Sequence, residues 1–316
     1  MRQTGLAASV LFSLGICALS APAQAFEDTS VIMPGASLMD PTGAAPPPGW
    51  YVEETFTYFN LAIVNQSGKK IGVTTTEGDI NNQVIWVPKL PTILGASYFV
   101  YVVEPVRGGN LSVPGLGNLT AVGMENTVIS PLNLSWNLHN GFFVSAGVTF
   151  YAPDGTYKAG NVYNISRNYF SAEFDGAVSY LADGWNLTWR TAFDVSATNP
   201  YNGYHSGAGF VTDITALKEF GKFELGGVAS WTQQIENDSI HGVTVAASGA
   251  NGFGNRASVF EIGPAISTKI GIAKVSAYYM HDVEGANYAY GDRYYLKLFV
   301  PLLVDAETPA PVKAKY

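Results

Sequence analysis

Residues 185–196, WNLTWRTAFDVS, separate into two faces at a period of two. Trp185, Leu187, Trp189, Phe193 and Val195 share one parity, and Asn186, Thr188, Arg190, Asp194 and Ser196 share the other. Successive side chains of a strand point to opposite faces, so this spacing predicts a β-strand with one apolar and one polar side. The same reading holds elsewhere. In 142–151, Phe142, Val144, Val148 and Phe150 oppose Phe143, Ser145, Thr149 and Tyr151. In 168–181, Phe170, Phe174, Val178 and Tyr180 oppose Ser171, Glu173, Asp175 and Ser179. In 223–235, Phe223, Leu225, Trp231 and Ile235 oppose Glu224, Ser230, Thr232 and Gln234. In 293–300, Tyr294, Leu296, Leu298 and Val300 oppose Arg293, Tyr295, Lys297 and Phe299. The segment 51–64 has no assignable faces.

Connections between these segments alternate in length. Tight links are predicted at 139–141, 182–184 and 220–222, each with a turn glycine, and near Pro91–Gly95 and Lys269–Ile272. Longer polar links are predicted at 65–79, 107–118, 152–166, 199–205, 237–254 and 285–291. Short and long connections in alternation, joining about twelve strands of roughly 10 to 14 residues, predict an all-β, up-and-down antiparallel barrel that crosses a membrane. An apolar parity then faces lipid and a polar parity faces the lumen. A soluble β-sandwich, with the faces exchanged, is the alternative.

The N-terminus supports the membrane reading. Arg2 precedes the apolar run GLAASVLFSLGICALSA and the small-residue site AQA at 23–25. That layout predicts a secretory signal peptide over 1–25, cleaved near Ala25, and hence an outer-membrane location in a Gram-negative cell. The single cysteine, Cys17, falls within it, so disulfides and thiol chemistry are excluded from the mature chain. Residues 26–49, rich in Pro and Gly, read as an irregular periplasmic segment able to lodge in the lumen as a plug. The barrel is expected over 50–302 and a tail over 303–316. Charged residues are 13% of the chain against a soluble norm of ~25%. A net charge of −8 argues against nucleic acid as a partner. The expected partners are outer-membrane lipid and lipopolysaccharide, the barrel-assembly machinery and a small solute.

Several pieces, in order, resemble one family. They are PPPGWY (46–51), LGASYFVYVVEPV (94–106), FYAPDGTY (150–157), ISRNYFSAEF (165–174), DGWNLTWRTAFDV (183–195), EIGPAIS (261–267) and GDRYYLKLFVPL (291–302). Together they look like the outer-membrane proteins of the MetA-pathway of phenol degradation. The resemblance implies a barrel that transports aromatic compounds. The tail LVDAETPAPVKAKY departs from the pattern, because such chains usually stop near the last strand.

The candidate lumen residues share the inward parity. They are Glu173, Asp175, Arg190, Asp194, Glu224, Glu261, Lys274, Arg293 and Lys297, with Tyr151, Tyr169 and Tyr295 as aromatic steps, and with Phe143 and Tyr278 beside them. One reading pairs these charges across the lumen to hold the barrel round. The other makes them the wall of a path on whose aromatic faces flat apolar solutes stack. Arg167 and Arg293 are further candidates for an anionic or phenolic solute or a lipopolysaccharide phosphate. No catalytic site is expected: His281 and Asp282 adjoin but point to opposite faces, and no serine nucleophile motif accompanies them. No metal spacing and no cofactor motif is present. The functional expectation is passive uptake of small hydrophobic or aromatic compounds. A structural or adhesive barrel is the alternative, and an outer-membrane hydrolase a third.

Overall fold

The computed structural model describes residues 30–245 and 254–304. The expected signal peptide, the start of the 26–49 segment and the expected tail beyond 304 lie outside the described residues. The strands are β1 (Gly49–Val64), β2 (Lys70–Val87), β3 (Ser97–Val113), β4 (Gly117–Met124), β5 (Val128–His139), β6 (Phe142–Tyr151), β7 (Ser171–Tyr180), β8 (Trp185–Ser196), β9 (Tyr204–His205), β10 (Gly209–Phe220), β11 (Phe223–Gln234), β12 (Ser239–Ile240), β13 (Val243–Thr244), β14 (Ser258–Ile270), β15 (Ala273–Ala286) and β16 (Tyr288–Val304). The wall runs β1-β2-β3-β5-β6-β7-β8-β10-β11-β14-β15-β16, and β16 pairs antiparallel with β1 to close it. Closure satisfies the backbone and leaves no sheet edge in lipid. The short strands β4 and β5 pair with successive parts of β3, Val106–Val113 and Ser97–Val103, and so fill one wall position between them. The wall therefore has twelve strands. The strands β9, β12 and β13 form a small separate sheet in the connections at one end.

Strand β8 shows why the barrel stands as it does. Trp185, Leu187, Trp189, Phe193 and Val195 are exposed, whereas Asn186, Thr188, Arg190 and Asp194 are buried. In water this would be inside out. Around a lumen, with lipid outside, it is the arrangement that burial of apolar surface favours. Trp185 lies at the mouth of the 181–184 turn, and the Lys218 ammonium sits 4.8 Å over its ring.

The tight turns at 139–141, 182–184, 220–222 and 269–272 fall where expected, whereas the link expected to be short near Pro91–Gly95 is a longer connection over 88–96. His139, Asn140 and Gly141 all have positive φ, as does Asp183–Gly184, which suits reversals of this length. Three of the predicted long links are shorter. The link 65–79 is a loop only over 65–69, and β2 begins at Lys70. The link 107–118 is mostly sheet: β3 continues to Val113 and β4 begins at Gly117. The link 285–291 is a break at Asn287 alone, with φ of 48°. These stretches hold Gly and Thr in extended, paired backbone, and their polar composition reflects water outside rather than irregular structure. Four strands are consequently longer than expected: β1, β2, β3 and β16 have 16, 18, 17 and 17 residues. The ambiguous 51–64 segment is β1. Its inward face mixes Tyr51, Glu53, Thr55, Thr57, Phe59 and Leu61, so neither parity looks polar throughout. β16 ends two residues into the stretch assigned to the tail.

Candidate functional site: the lumen and the segment within it

Register aligns inward residues in rows around the barrel. One row joins Arg190 on β8, Asp213 on β10, Ser230 on β11, Glu261 on β14 and Asp282 on β15. Another joins Ala265, Tyr278, Tyr295, Thr57, Asp79 and Arg107 on β14, β15, β16, β1, β2 and β3. Both rows lie inside because the residues that alternate with them, such as Trp189, Ile214, Trp231 and Tyr294, are exposed.

The charges gather in groups around single cations. Arg190 bridges Glu173 and lies 3.4 Å from Asp175. The Tyr151 hydroxyl donates to the other Glu173 oxygen at 2.5 Å. Arg293 bridges Glu261 at 2.6 Å and also bonds Asp282. Arg107 reaches Asp79 at 2.9 Å, Glu125 at 2.6 Å and Glu77 at 3.6 Å. Lys297 pairs with Glu53 at 3.2 Å and with Asp40. Arg190, Arg293 and Lys297 are buried and Arg107 half-buried, and cations so withdrawn from water persist only where carboxylates and hydrogen bonds replace lost hydration. Each of these cations is engaged by at least two acids.

Most of the sequence-derived residues are here. Glu173, Arg190, Asp194, Glu261, Arg293, Lys297, Tyr151, Tyr169 and Tyr295 are buried. Glu224 and Lys274 pair at 2.9 Å near the short-turn end and are partly exposed, and Asp175 is half-buried. Tyr169 lies in the β6–β7 connection, with its hydroxyl 3.2 Å from that of Ser206. Arg167, in the same connection, donates to the Ser30 carbonyl at 2.8 Å. The sequence reading missed Asp213, Asp282, Asp79, Arg107 and Glu53. Asp79 and Arg107 lay in stretches read as loops, Glu53 in the strand without clear faces, and Asp213 in a strand whose alternation, Val211-Asp213-Thr215-Leu217, mixes polar with apolar.

The feature that organises the lumen is the chain before β1. Residues 30–48 run inside the barrel from the long-loop end to the short-turn end. Ser30 donates to Asp194 at 2.9 Å, close to the loop end of β8. The amides of Gly35 and Ser37 and the Ser37 hydroxyl donate to Asp213 at 3.2, 3.2 and 2.6 Å. The Tyr278 and Tyr295 hydroxyls donate to the carbonyls of Gly35 and Pro34 at 3.0 and 2.9 Å. The Lys297 ammonium donates to the Ala36 and Leu38 carbonyls at 3.0 and 3.3 Å. Lower down, the Met39 amide donates to Thr215, that of Gly43 to Ser179 and that of Ala45 to Ser135. Finally the Tyr51 hydroxyl donates to the Pro47 carbonyl at 2.6 Å, where β1 begins. Leu38 and Met39 pack with Phe59, Leu61, Leu217, Val228, Met280, Tyr278 and Tyr295 in an apolar core inside the barrel. Ile32 packs with Ala192 and Val211. Gly43 passes so close to the wall that a Cβ there would stand 2.7 Å from the Ser179 amide nitrogen.

At the loop end, a second polar knot ties the connections together. The Tyr204 hydroxyl, the Gly207 amide, Gln234 and Asn255 all donate to Asp238. Burial still pushes the Asp238 carboxyl above its ordinary range, against those four donors. On the outer surface, His281 pairs with Asp292 at 2.8 Å, while Asp282 is wholly buried on the other side of the same strand. The adjacent His and Asp thus never meet. Among the described residues no group of three or more His, Asp or Glu side chains could hold a metal ion.

A closed barrel with lipid-facing apolar residues, a charged lumen and a chain segment inside it defines the class as outer-membrane β-barrels. The chain belongs to the family described as "Putative MetA-pathway of phenol degradation", whose model matches residues 64–298. No curated protein sequence matches it. Among solved structures it is similar to the COG4313 outer membrane channel from Pseudomonas putida F1, at 14% identity and a TM-score of 0.69, over 86% of this chain and 100% of that one. It is also similar to the transport unit of the autotransporter AIDA-I from Escherichia coli (12%, 0.51, 80% and 89%). A third is the β domain of the Bordetella autotransporter BrkA (12%, 0.50, 81% and 100%). At these identities the likeness establishes the fold.

Proposed function

We propose that the protein is an outer-membrane channel for passive uptake of small hydrophobic or aromatic compounds, with its long connections outside and its tight turns in the periplasm. In this reading the segment before β1 is a plug. The observation that carries it is the lumen itself: a walled path with stacked tyrosines and apolar patches, filled by a segment that is not part of the wall. The family membership and the channel fold support it. The test compares the full chain with a variant lacking residues 26–45. Single-channel conductance in planar bilayers should rise in the deletion, and uptake of phenol-like compounds at limiting concentration should change. Arg190→Ala should shift the ion preference of the open channel toward cations, because Glu173 and Asp175 then lack their counter-charge.

The seated segment also supports a second reading, a structural barrel with a permanently closed lumen. Absence of conductance in both proteins, with unchanged uptake in cells, decides for it.

A further inference from the structure

The segment's contacts concentrate on one residue. Gly35, with φ of +76°, donates its amide to Asp213 and accepts from Tyr278. A Cβ there would stand 3.4 Å from Glu261 Oε1 and 3.4 Å from the Tyr295 hydroxyl. Two carboxylates and two phenol hydroxyls therefore surround a single small residue. Tyr278 and Tyr295 are stacked at 4.4 Å and 9°. Leu217, Met280 and Phe59 close the apolar side.

The fit is incomplete. Glu261 Oε1 and Ser230 Oγ are buried, and neither has a hydrogen-bond partner among the described residues. The register sets Ser230 between Asp213 and Glu261. Gly35 has one N–H, which Asp213 takes, and nothing to offer Glu261. Buried polar atoms are ordinarily paired, and an unpaired carboxylate oxygen in a closed space marks a position for a donor that the resting structure does not supply.

We propose that Asp213, Glu261, Tyr278 and Tyr295 form a binding site for a hydroxylated aromatic ring, which residues 33–38 occupy in the resting protein as a built-in stand-in. This deepens the uptake reading and rests on it for its role. An aromatic hydroxyl donates to one carboxylate and accepts from one tyrosine, as the Gly35 peptide does now. Its ring lies against the tyrosine pair and the Leu217 and Met280 side chains, where Met33 and Leu38 pack. Solute and segment compete for one place, so loosening the segment strengthens binding of the solute.

The experiment is calorimetric titration of the purified full chain with phenol and with anisole, which has the same ring but no donor. Gly35→Ala strains the segment at its left-handed residue without altering the wall, and should raise phenol affinity about tenfold. In that background phenol should bind about tenfold or more tighter than anisole, the scale of a hydrogen bond to a carboxylate. Asp213→Val combined with Glu261→Leu, which removes both carboxylates, should erase that preference. If the double variant loses the folded, heat-modifiable gel band, Tyr278→Phe serves instead and should lower phenol affinity about tenfold. Phenol binding indifferent to Gly35→Ala, or a preference that survives loss of the acceptors, overturns the site. Binding as expected, with no conductance or uptake in the full chain or any variant, keeps the site and removes the transport reading.

Discussion

Strands β8 and β2 belong to one wall but obey different rules. Along β8 the outward face is apolar from Trp185 to Val195 apart from Thr191, and the inward face polar from Asn186 to Asp194 apart from Ala192. Along β2 the rule reverses partway. From the turn end, outward Trp86, Val84 and Ile80 are exposed apolar residues, while the inward face passes from buried Ile85 and Val87 at the turn to buried Asp79. Beyond Gly78 the outward positions are Thr76, Thr74, Gly72 and Lys70. The inward Val73 packs there with Leu111 and Val113, against Ile63, Ile71, Leu119, Val162 and Tyr163. The upper part of β2 and β3 thus follows the logic of a water-soluble sheet, on the same strands that follow membrane logic below. The comparison teaches that the solvent, not the strand, sets which parity is apolar, and that the solvent changes along a strand longer than the bilayer is thick.

Substitutions can break this contrast. The largest effect is expected for Trp189→Arg, midway along the lipid face of β8, which should cost roughly 2–4 kcal/mol; urea or guanidinium titration of the refolded protein measures it. A smaller loss, about 2–3 kcal/mol, is expected for Leu111→Ala in the upper apolar cluster. It should appear as faster proteolysis of the β3–β4 hairpin while the barrel band on an unboiled gel persists. The least is expected for Thr74→Arg, on the same outward face as Trp86 but above the reversal, within about 0.5 kcal/mol. A Thr74→Arg penalty equal to that of Trp189→Arg would place the upper wall in lipid and dissolve the distinction.

The same reversal explains what the sequence disclosed. The β6, β7, β8, β11 and β16 faces were legible because each alternates against one solvent over most of its length. The stretch 70–79 was not, because a strand with water outside and an apolar cluster inside, rich in Gly and Thr, has the composition of a loop. Arg190 and Glu173 were legible as inward charges from parity. Their pairing was not, because register between strands is not written in either strand alone. Gly35 left no trace, since its importance lies in what surrounds it after closure.

The threaded segment has a consequence for the order in which the molecule is built. Pro34 is held by Tyr295, 261 positions later in the chain, and Ala36 by Lys297, equally distant. Contacts of such separation form only after much of the intervening chain has been fixed. The beginning of the protein therefore finds its place only when the end has arrived. Lys297 stands at the seam where last strand meets first, joining Glu53 of β1 to Asp40 of the segment. Seating the segment and sealing the barrel are thus two readouts of one late event. A chain stalled before β16 would carry an unanchored N-terminal segment, open to proteolysis before any fault in the wall itself is apparent.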